Sequence, residues 1–361
     1  MFDVRLASVL RHDSSPGDVD SLHEALGIPV HAEPSSWPSP KRSASRAASW
    51  VSGGIVGTPN WIVERRSQRL ASHLSSASAD VGLIFGEAAG VYAGQLRGRM
   101  LVVWDKSNVL GASSRELWAG RAIRSRLAES SALRFERRVL PTVDRVTVTS
   151  EVEARRLQAA YQRQADAIVP SPIDVFPPAS WGRSRRIGWM SSFSYSANSD
   201  GLIKFLRDGW PKLAANGFTL EIVGVGRCSS GLRDEIARSA NVSLLGFVEN
   251  LHDWMDGLQA AVIPLWAGAG VKLKTLHWLM STIPTVGTSV AFEGIPVVPG
   301  KHAAVADGPE EMAAEILRLD QSETAVVETR GAAARRLILE GFSTETVVAE
   351  YGRHLQKWHA G

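Results

Sequence analysis

The chain has 361 residues, 44% apolar and 21% charged, with 40 Lys and Arg against 37 Asp and Glu for a formal charge of +3. These proportions describe a globular protein long enough for two domains, and its scattered arginines form no dense basic tract of the kind that binds nucleic acid. A lone cysteine, Cys228, excludes an internal disulfide and fits a reducing cytoplasm. No run of residues is apolar and long enough to span a bilayer, and the first twelve lack a signal-peptide pattern, so a cytoplasmic location is expected.

Residues 3–10 alternate as a strand does, 12–20 form a polar loop, a short helix over 20–27 ends at Gly27, and Ile28–His31 suggest a second strand. Residues 34–46 are rich in turn formers. A helix is predicted from Asn60 to Ser75, followed by buried strands at Val81–Phe85 and Met100–Trp104, with Asp105, Lys106, Ser107 and Asn108 just past the second. An arginine-rich amphipathic helix fills most of 113–139. Val146–Thr149 read as a strand, Ser150 as a helix N-cap and Glu153 as its capping-box partner. Strands alternating with helices predict an α/β fold with a parallel sheet.

A proline cluster and a break in composition at 168–184 mark an interdomain linker, after which the alternation restarts. The boundaries are set at 1–172 for the N-terminal domain, 173–184 for the linker and 185–345 for the C-terminal domain. A helix over 346–361 is expected to cross back to the N-terminal domain. Within the second half, Ile187–Met190 form a strand and Asn198 caps a helix running to about Ala214. Thr219–Val225 and Val242–Phe247 are buried strands, and a short helix lies near 250–258. Asp307 caps a helix over Asp307–Leu319, with Pro309 in its first turn and Glu310 and Glu311 at its positive end. Two more helices close the chain.

The segment 261–295 (AVIPLWAGAGVKLKTLHWLMSTIPTVGTSVAFEGI) concentrates the chemistry. Ala261–Leu265 read as a buried parallel strand, Gly268, Ala269 and Gly270 as a turn, the next stretch as a helix carrying Lys272 and Lys274, and Pro284–Val286 as the following strand. Strand, glycine turn and helix bring backbone N–H groups and the positive end of a helix dipole to one point, which suits phosphate. In open parallel sheets, ligands sit at the carboxyl ends of the strands, where this turn falls. Helical geometry puts Lys274 and His277 about 60° apart, on the side of Gly270, with Leu273, Leu276, Leu279 and Met280 as the core stripe. Lys272 lies nearly opposite and reaches a phosphate only by curling round the helix start. A solvated face is the simpler reading of a lone lysine. The glycine turn favours a ligand for Lys274 and leaves Lys272 evenly balanced.

These features, in order, resemble the donor-binding domain of family 4 glycosyltransferases, which have the GT-B fold. IGWMSSFSYSANSDGL (187–202), LEIVGVG (220–226), SLLGFVENL (243–251), PLWAGAGVKLKTL (264–276), IPTVGTSVAFEGI (283–295) and ADGPEEMAAEI (306–316) carry the resemblance. VPSPIDVFPP resembles the family linker, and DRVTVTSEVEARRL (144–157) the last strand and helix of its N-terminal domain. The resemblance implies two Rossmann-like domains with parallel sheets facing a central cleft. It also implies transfer of a sugar from a nucleotide sugar to a metabolite or surface-glycan acceptor, with retained configuration and no metal.

Donor contacts are then implied for Asn198, Phe247, Val248, Gly268, Ala269, Gly270, Lys272, Lys274, His277 and Glu293. Ala269 and His277 stand where retaining members carry two glutamates. His277 can meet ribose hydroxyls through either ring nitrogen, or be a helix-surface histidine. Glu293 bonds the sugar or serves a turn, and Phe247 meets the base or fills core. Asp105 either orients an acceptor hydroxyl or caps the next helix, and His12 either faces the cleft or is a loop histidine. The family begins with a strand and glycine-rich loop. By that resemblance this chain is expected to start at what corresponds to the second strand, with Gly53 and Gly54 marking a later turn. Two other readings stay open: a catalytically impaired relative that binds a nucleotide sugar or supports a partner enzyme, and a GT-B epimerase or phosphorylase.

Overall fold

The computed structural model describes residues 3–10, 20, 24–35, 58–59, 62, 66–111 and 122–360. His12, Gly53 and Gly54, and most of the 12–20 and 34–46 loops, lie outside the described residues. Contacts divide the chain into two units. The first takes the described residues up to Val148, with Ala154–Ile168 and residues from His354 on; the second takes Thr149–Glu153 and Val169–Arg353.

In the first unit, β1 (Leu6–Leu10) pairs in parallel with β2 (Val30–Pro34). Helix α1 (Gln68–Ser76) has Ser67 as its N-cap, whose Oγ accepts the Leu70 N–H, and the start expected at Asn60 lies outside the described residues. Next come β3 (Val81–Phe85), a 3₁₀ turn leading into α2 (Ala93–Leu96), β4 (Leu101–Lys106), α3 (Ala122–Val139), β5 (Arg145–Val148), α4 (Glu151–Tyr161) and β6 (Ala167–Ile168). The Ser150 hydroxyl accepts the Glu153 N–H, as expected of the N-cap. The sheet is wholly parallel in the order β3-β4-β5-β6. Its middle strands carry Val102, Val103, Trp104, Val146 and Val148, all buried, which is the pattern of a sheet covered on both faces. β3 is not the buried strand its composition suggests. Phe85 is 74% exposed, and β4 is its only neighbour among the described residues.

The second unit contains β7 (Arg186–Ser192), α5 (Ser196–Asp208), α6 (Trp210–Ala215), β8 (Thr219–Val225), α7 (Ser230–Arg238), β9 (Val242–Gly246), α8 (Leu251–Met255), β10 (Ala260–Ile263), α9 (Leu273–Met280), β11 (Thr285–Gly287), β12 (Ala304–Val305), α10 (Pro309–Gln321) and α11 (Thr324–Phe342). Helix α12 (Thr344–Ala360) follows, its last residues clustering with the first unit. The sheet is parallel in the order β12-β11-β10-β7-β8-β9. From β7 the chain winds outward through β8 to β9, then returns to the other side of β7 with β10. The carboxyl ends of β7 and β10 therefore flank a topological switch point, where such sheets open a crevice. Gly201 lets α5 approach this edge, since a Cβ there would lie 2.0 Å from the Pro264 carbonyl oxygen.

Three expectations need correction here. The helix after β7 starts at Ser196 behind Tyr195, so Asn198 lies inside its first turn instead of capping it, and Gly209 separates it from α6. The N-cap of α10 is Gly308, whose N–H meets Glu311 Oε2; Asp307 accepts from the Ser289 N–H and hydroxyl. β9 is an edge strand, so Leu244 and Leu245 are exposed where a buried strand was read.

Candidate functional site

The turn between β10 and α9 is held from several directions. The Thr288 hydroxyl donates to the Leu265 carbonyl, the Trp266 Nε1–H donates to the Asp307 carbonyl at 2.6 Å, and the Thr275 hydroxyl ties α9 to the Ala291 carbonyl at 2.8 Å. Gly268 has φ 134°, and a Cβ there would meet the Tyr195 hydroxyl at 3.1 Å, so the position suits glycine both by conformation and by space. Gly270 also has positive φ, at 74°. Ala269 lies between them.

Lys272 is the N-cap of α9, so the helix begins one residue later, at Leu273. Leu273 is 51% exposed and leaves the core stripe to Leu276, Leu279 and Met280. The Lys272 side chain is nearly buried, and its Nζ lies 4.0 Å from Glu293 Oε2. Glu293 sits at the end of a 3₁₀ turn, before Gly294 at φ 80°. Lys274, on the first turn, donates to Asn198 Oδ1 at 2.6 Å and to Ser191 Oγ at 3.2 Å, while Asn198 Nδ2 donates to the Ser192 carbonyl at 2.9 Å. This chain of bonds ties α9, α5 and the end of β7 together across the switch point. Burial, and then the neighbouring Lys272 cation, push the Lys274 amine down to about pKa 7. Its two acceptors are neutral, so neither restores the charge.

His277 takes a different course from Lys274. Its Nδ1 lies 2.9 Å from the Leu273 carbonyl oxygen and acts as the donor there, which leaves Nε2 as an acceptor in the neutral ring. The ring stacks near Phe176 at 6.0 Å, and Phe176 packs on His252 of α8 at 4.0 Å. Phe247 follows β9 and is 71% exposed, so it does not fill core; Val248 behind it packs against the Trp254–Trp278 core. β9 lies two strands from β7, about 10 Å along the carboxyl edge. Phe247 is thus an unburied aromatic on the same edge as the glycine turn.

In the first unit, Asp105 is a residue of β4 itself, which corrects its placement past the strand end. It is buried opposite Thr147 of β5, whose hydroxyl donates to Oδ1 at 2.9 Å. Burial pushes its carboxyl up to about pKa 6, against the lowering effect of that bond, and Glu87 adds to the rise. Lys106, on the opposite face, is fully buried against Glu136, which also accepts the Leu110 and Gly111 N–H groups at 3.0 Å and the Tyr161 hydroxyl. Among the described residues, no three His, Cys, Asp or Glu side chains are grouped to hold a metal ion.

The structure thus brings together Gly268, Ala269, Gly270, Lys272, Lys274, Asn198 and Glu293, and sets Phe247 and Val248 further along the same edge. It adds Ser191, Tyr195 and Phe176. Serines at the end of β7 were a visible sign of polar chemistry at a strand terminus, but Tyr195 over Gly268 and Phe176 beside His277 leave no trace in sequence spacing.

Residues 184–322 match the family model for group 1 glycosyl transferases. A protein of Klebsiella pneumoniae, described as an uncharacterized 44.6 kDa protein in the cps region, is 22% identical over 172 residues, covering 44% of this chain and 44% of that protein, so the likeness spans less than half of the relative. Among solved structures, sucrose-phosphate synthase from Thermosynechococcus elongatus superposes with TM-score 0.70 at 14% identity, covering 99% of each chain. HepE from Anabaena, in complex with UDP and glucose, superposes with TM-score 0.66 at 15% identity, covering 97% of this chain and 91% of that one. The chain has the GT-B fold of these structures, and its residues 184–322 resemble the group 1 glycosyl transferases.

Proposed function

We propose that the protein transfers a sugar, of hexose type, from a nucleoside-diphosphate sugar to an acceptor, with retention at the anomeric carbon. The observation that carries this reading is the glycine turn with Lys272 and Lys274 at the switch point of the second sheet. There the diphosphate meets the backbone N–H groups at the start of α9 and the lysine cations. These offset the charge that grows on the leaving nucleotide, without a metal in that role. Phe247 offers a face for the base, Nε2 of His277 an acceptor for a ribose hydroxyl, and Glu293 a partner for a sugar hydroxyl or for Lys272. Asp105, a buried carboxylate with a raised pKa, orients the acceptor hydroxyl. The UDP and glucose bound by HepE, and the cps region named for the Klebsiella relative, favour a uridine nucleotide and a surface glycan as first choices.

The test is NMR-monitored turnover of UDP-glucose and related donors with candidate acceptors. An α-linked product from an α-linked donor supports the proposal, and a β-linked product removes the retaining assignment. Nucleotide binding with no turnover of any donor favours the catalytically impaired reading, for which the replacement of both family glutamates by Ala269 and His277 is the specific motive.

A further inference from the structure

One cavity of the second unit lies away from the glycine turn. It measures about 670 Å³ and lies between Gly300–Lys301 and α11, which contributes Thr329, Arg330, Ala332, Ala333 and Arg336. Lys301 belongs to the loop that enters β12, so it sits at the amino edge of the sheet, whereas the glycine turn leaves the carboxyl end of β10. The two places lie on opposite edges of one sheet.

The lining holds three cations, Lys301, Arg330 and Arg336, and no acid. None of the three has a carboxylate partner among the described residues, while the neighbouring Arg335 is spent on the Met280 and Phe176 carbonyls at 2.6 Å each. Arg330 Nε is buried and makes no hydrogen bond. A buried donor left unmade costs about 1–3 kcal/mol, so a ligand that supplied an acceptor would recover it. The positive field is also registered by His302, whose imidazole is held below its ordinary pKa by burial, then by Lys301 and Arg336. The local backbone offers no anion nest, because the Gly300 and Lys301 N–H groups are bonded to the Ala303 and Val298 carbonyls. Recognition must come from side chains, and two guanidinium groups with an ammonium suit the several oxygens of a phosphoryl group. The alanine walls can accept the less polar face of a small body attached to it.

We propose that this cavity is a second anion site, for the phosphate monoester of a small molecule, separate from the glycine turn. It stands independently of the nucleotide-sugar reading. The experiment is calorimetric titration of glucose 6-phosphate and of inorganic phosphate into the full-length wild type, Lys301→Gln/Arg336→Gln and Lys272→Met/Lys274→Met proteins. Lys301 and Arg336 are exposed, so the first double variant keeps the core intact. The expected result is binding that weakens at least tenfold in Lys301→Gln/Arg336→Gln and persists in Lys272→Met/Lys274→Met. Absence of binding to the wild type, binding unchanged in Lys301→Gln/Arg336→Gln, or binding lost only in Lys272→Met/Lys274→Met would each overturn it. Sedimentation with phosphatidylglycerol vesicles runs in parallel. Capture by vesicles without binding of either soluble phosphate overturns the small-molecule assignment.

Discussion

Replacing Lys274 by Met keeps the length of the side chain and removes only the amine. In the structure that amine has two neutral acceptors, at 2.6 and 3.2 Å, and a pKa held near 7 by burial and Lys272. A diphosphate at the turn favours the ammonium form, so binding draws a proton onto the amine and raises its pKa. The bound state then carries more protons than the free state from about pH 7 up to the bound-state pKa. Affinity must fall across that window, by up to about tenfold per pH unit. Above about pH 7 the terminal phosphate of UDP has already lost its second proton, so it does not produce the slope. At pH 7 the lost charge-assisted bond is worth about 1.5–3 kcal/mol, a roughly ten- to 150-fold rise in Kd for Lys274→Met. Lys274→Arg stays charged throughout and should flatten the profile. The assay is calorimetric titration of UDP from pH 6.5 to 9, in buffers of different ionisation enthalpy so that proton uptake is read directly. A wild-type Kd that stays level with pH, with no proton uptake, would refute the reasoning.

Other consequences concern separate parts of the molecule. Asp105→Asn removes a carboxylate whose burial disfavours ionisation. Because the folded pKa is raised, the penalty is absent below the unfolded value of 3.8 and grows to its full size above about 6. The variant should therefore gain about 1–3 kcal/mol at pH 8 in urea denaturation and nothing at pH 3.5, while losing transferase activity. Equal effects at both pH values would contradict the assignment of burial as the cause. Lys106→Met leaves Glu136 charged and buried, and should destabilise the first unit by about 3–5 kcal/mol in denaturant unfolding. Phe247→Ala should leave the melting temperature within a degree or so, since the ring is exposed, yet weaken UDP binding by about 1–3 kcal/mol if the base stacks there. Unchanged UDP affinity in that variant would take Phe247 out of the site.

The alternation of buried strands and helices, and the glycine turn, were legible because each rests on local pattern: apolar runs for strands covered on both faces, and Gly268 and Gly270 where φ is positive. Edge strands were misread for the same reason. Val81–Phe85 and Val242–Phe247 are as apolar as central strands, and only the sheet order reveals that one side of each has no strand beside it among the described residues. Caps slipped by one to three residues. Asn198 is a sound N-cap in composition, but its side chain is taken up by Ser192 and Lys274, partners six and 76 residues away. The same holds for Asp307 with Ser289. Periodicity put Lys274 and His277 on one side of α9, yet the first bonds across the switch point and the second folds back onto its own helix beside Phe176. Neither the depressed basicity of Lys274 nor the cationic cavity beside Arg330 can be seen without tertiary contacts.

The most direct test of the central claim is calorimetric titration of the protein with UDP, GDP, ADP and dTDP, with and without magnesium, repeated on Lys272→Met/Lys274→Met. The account predicts that one nucleotide binds clearly, that magnesium leaves its affinity unchanged, and that the double variant abolishes the heat. Binding that persists undiminished in the double variant, or no binding of any nucleotide to the wild type, would contradict it.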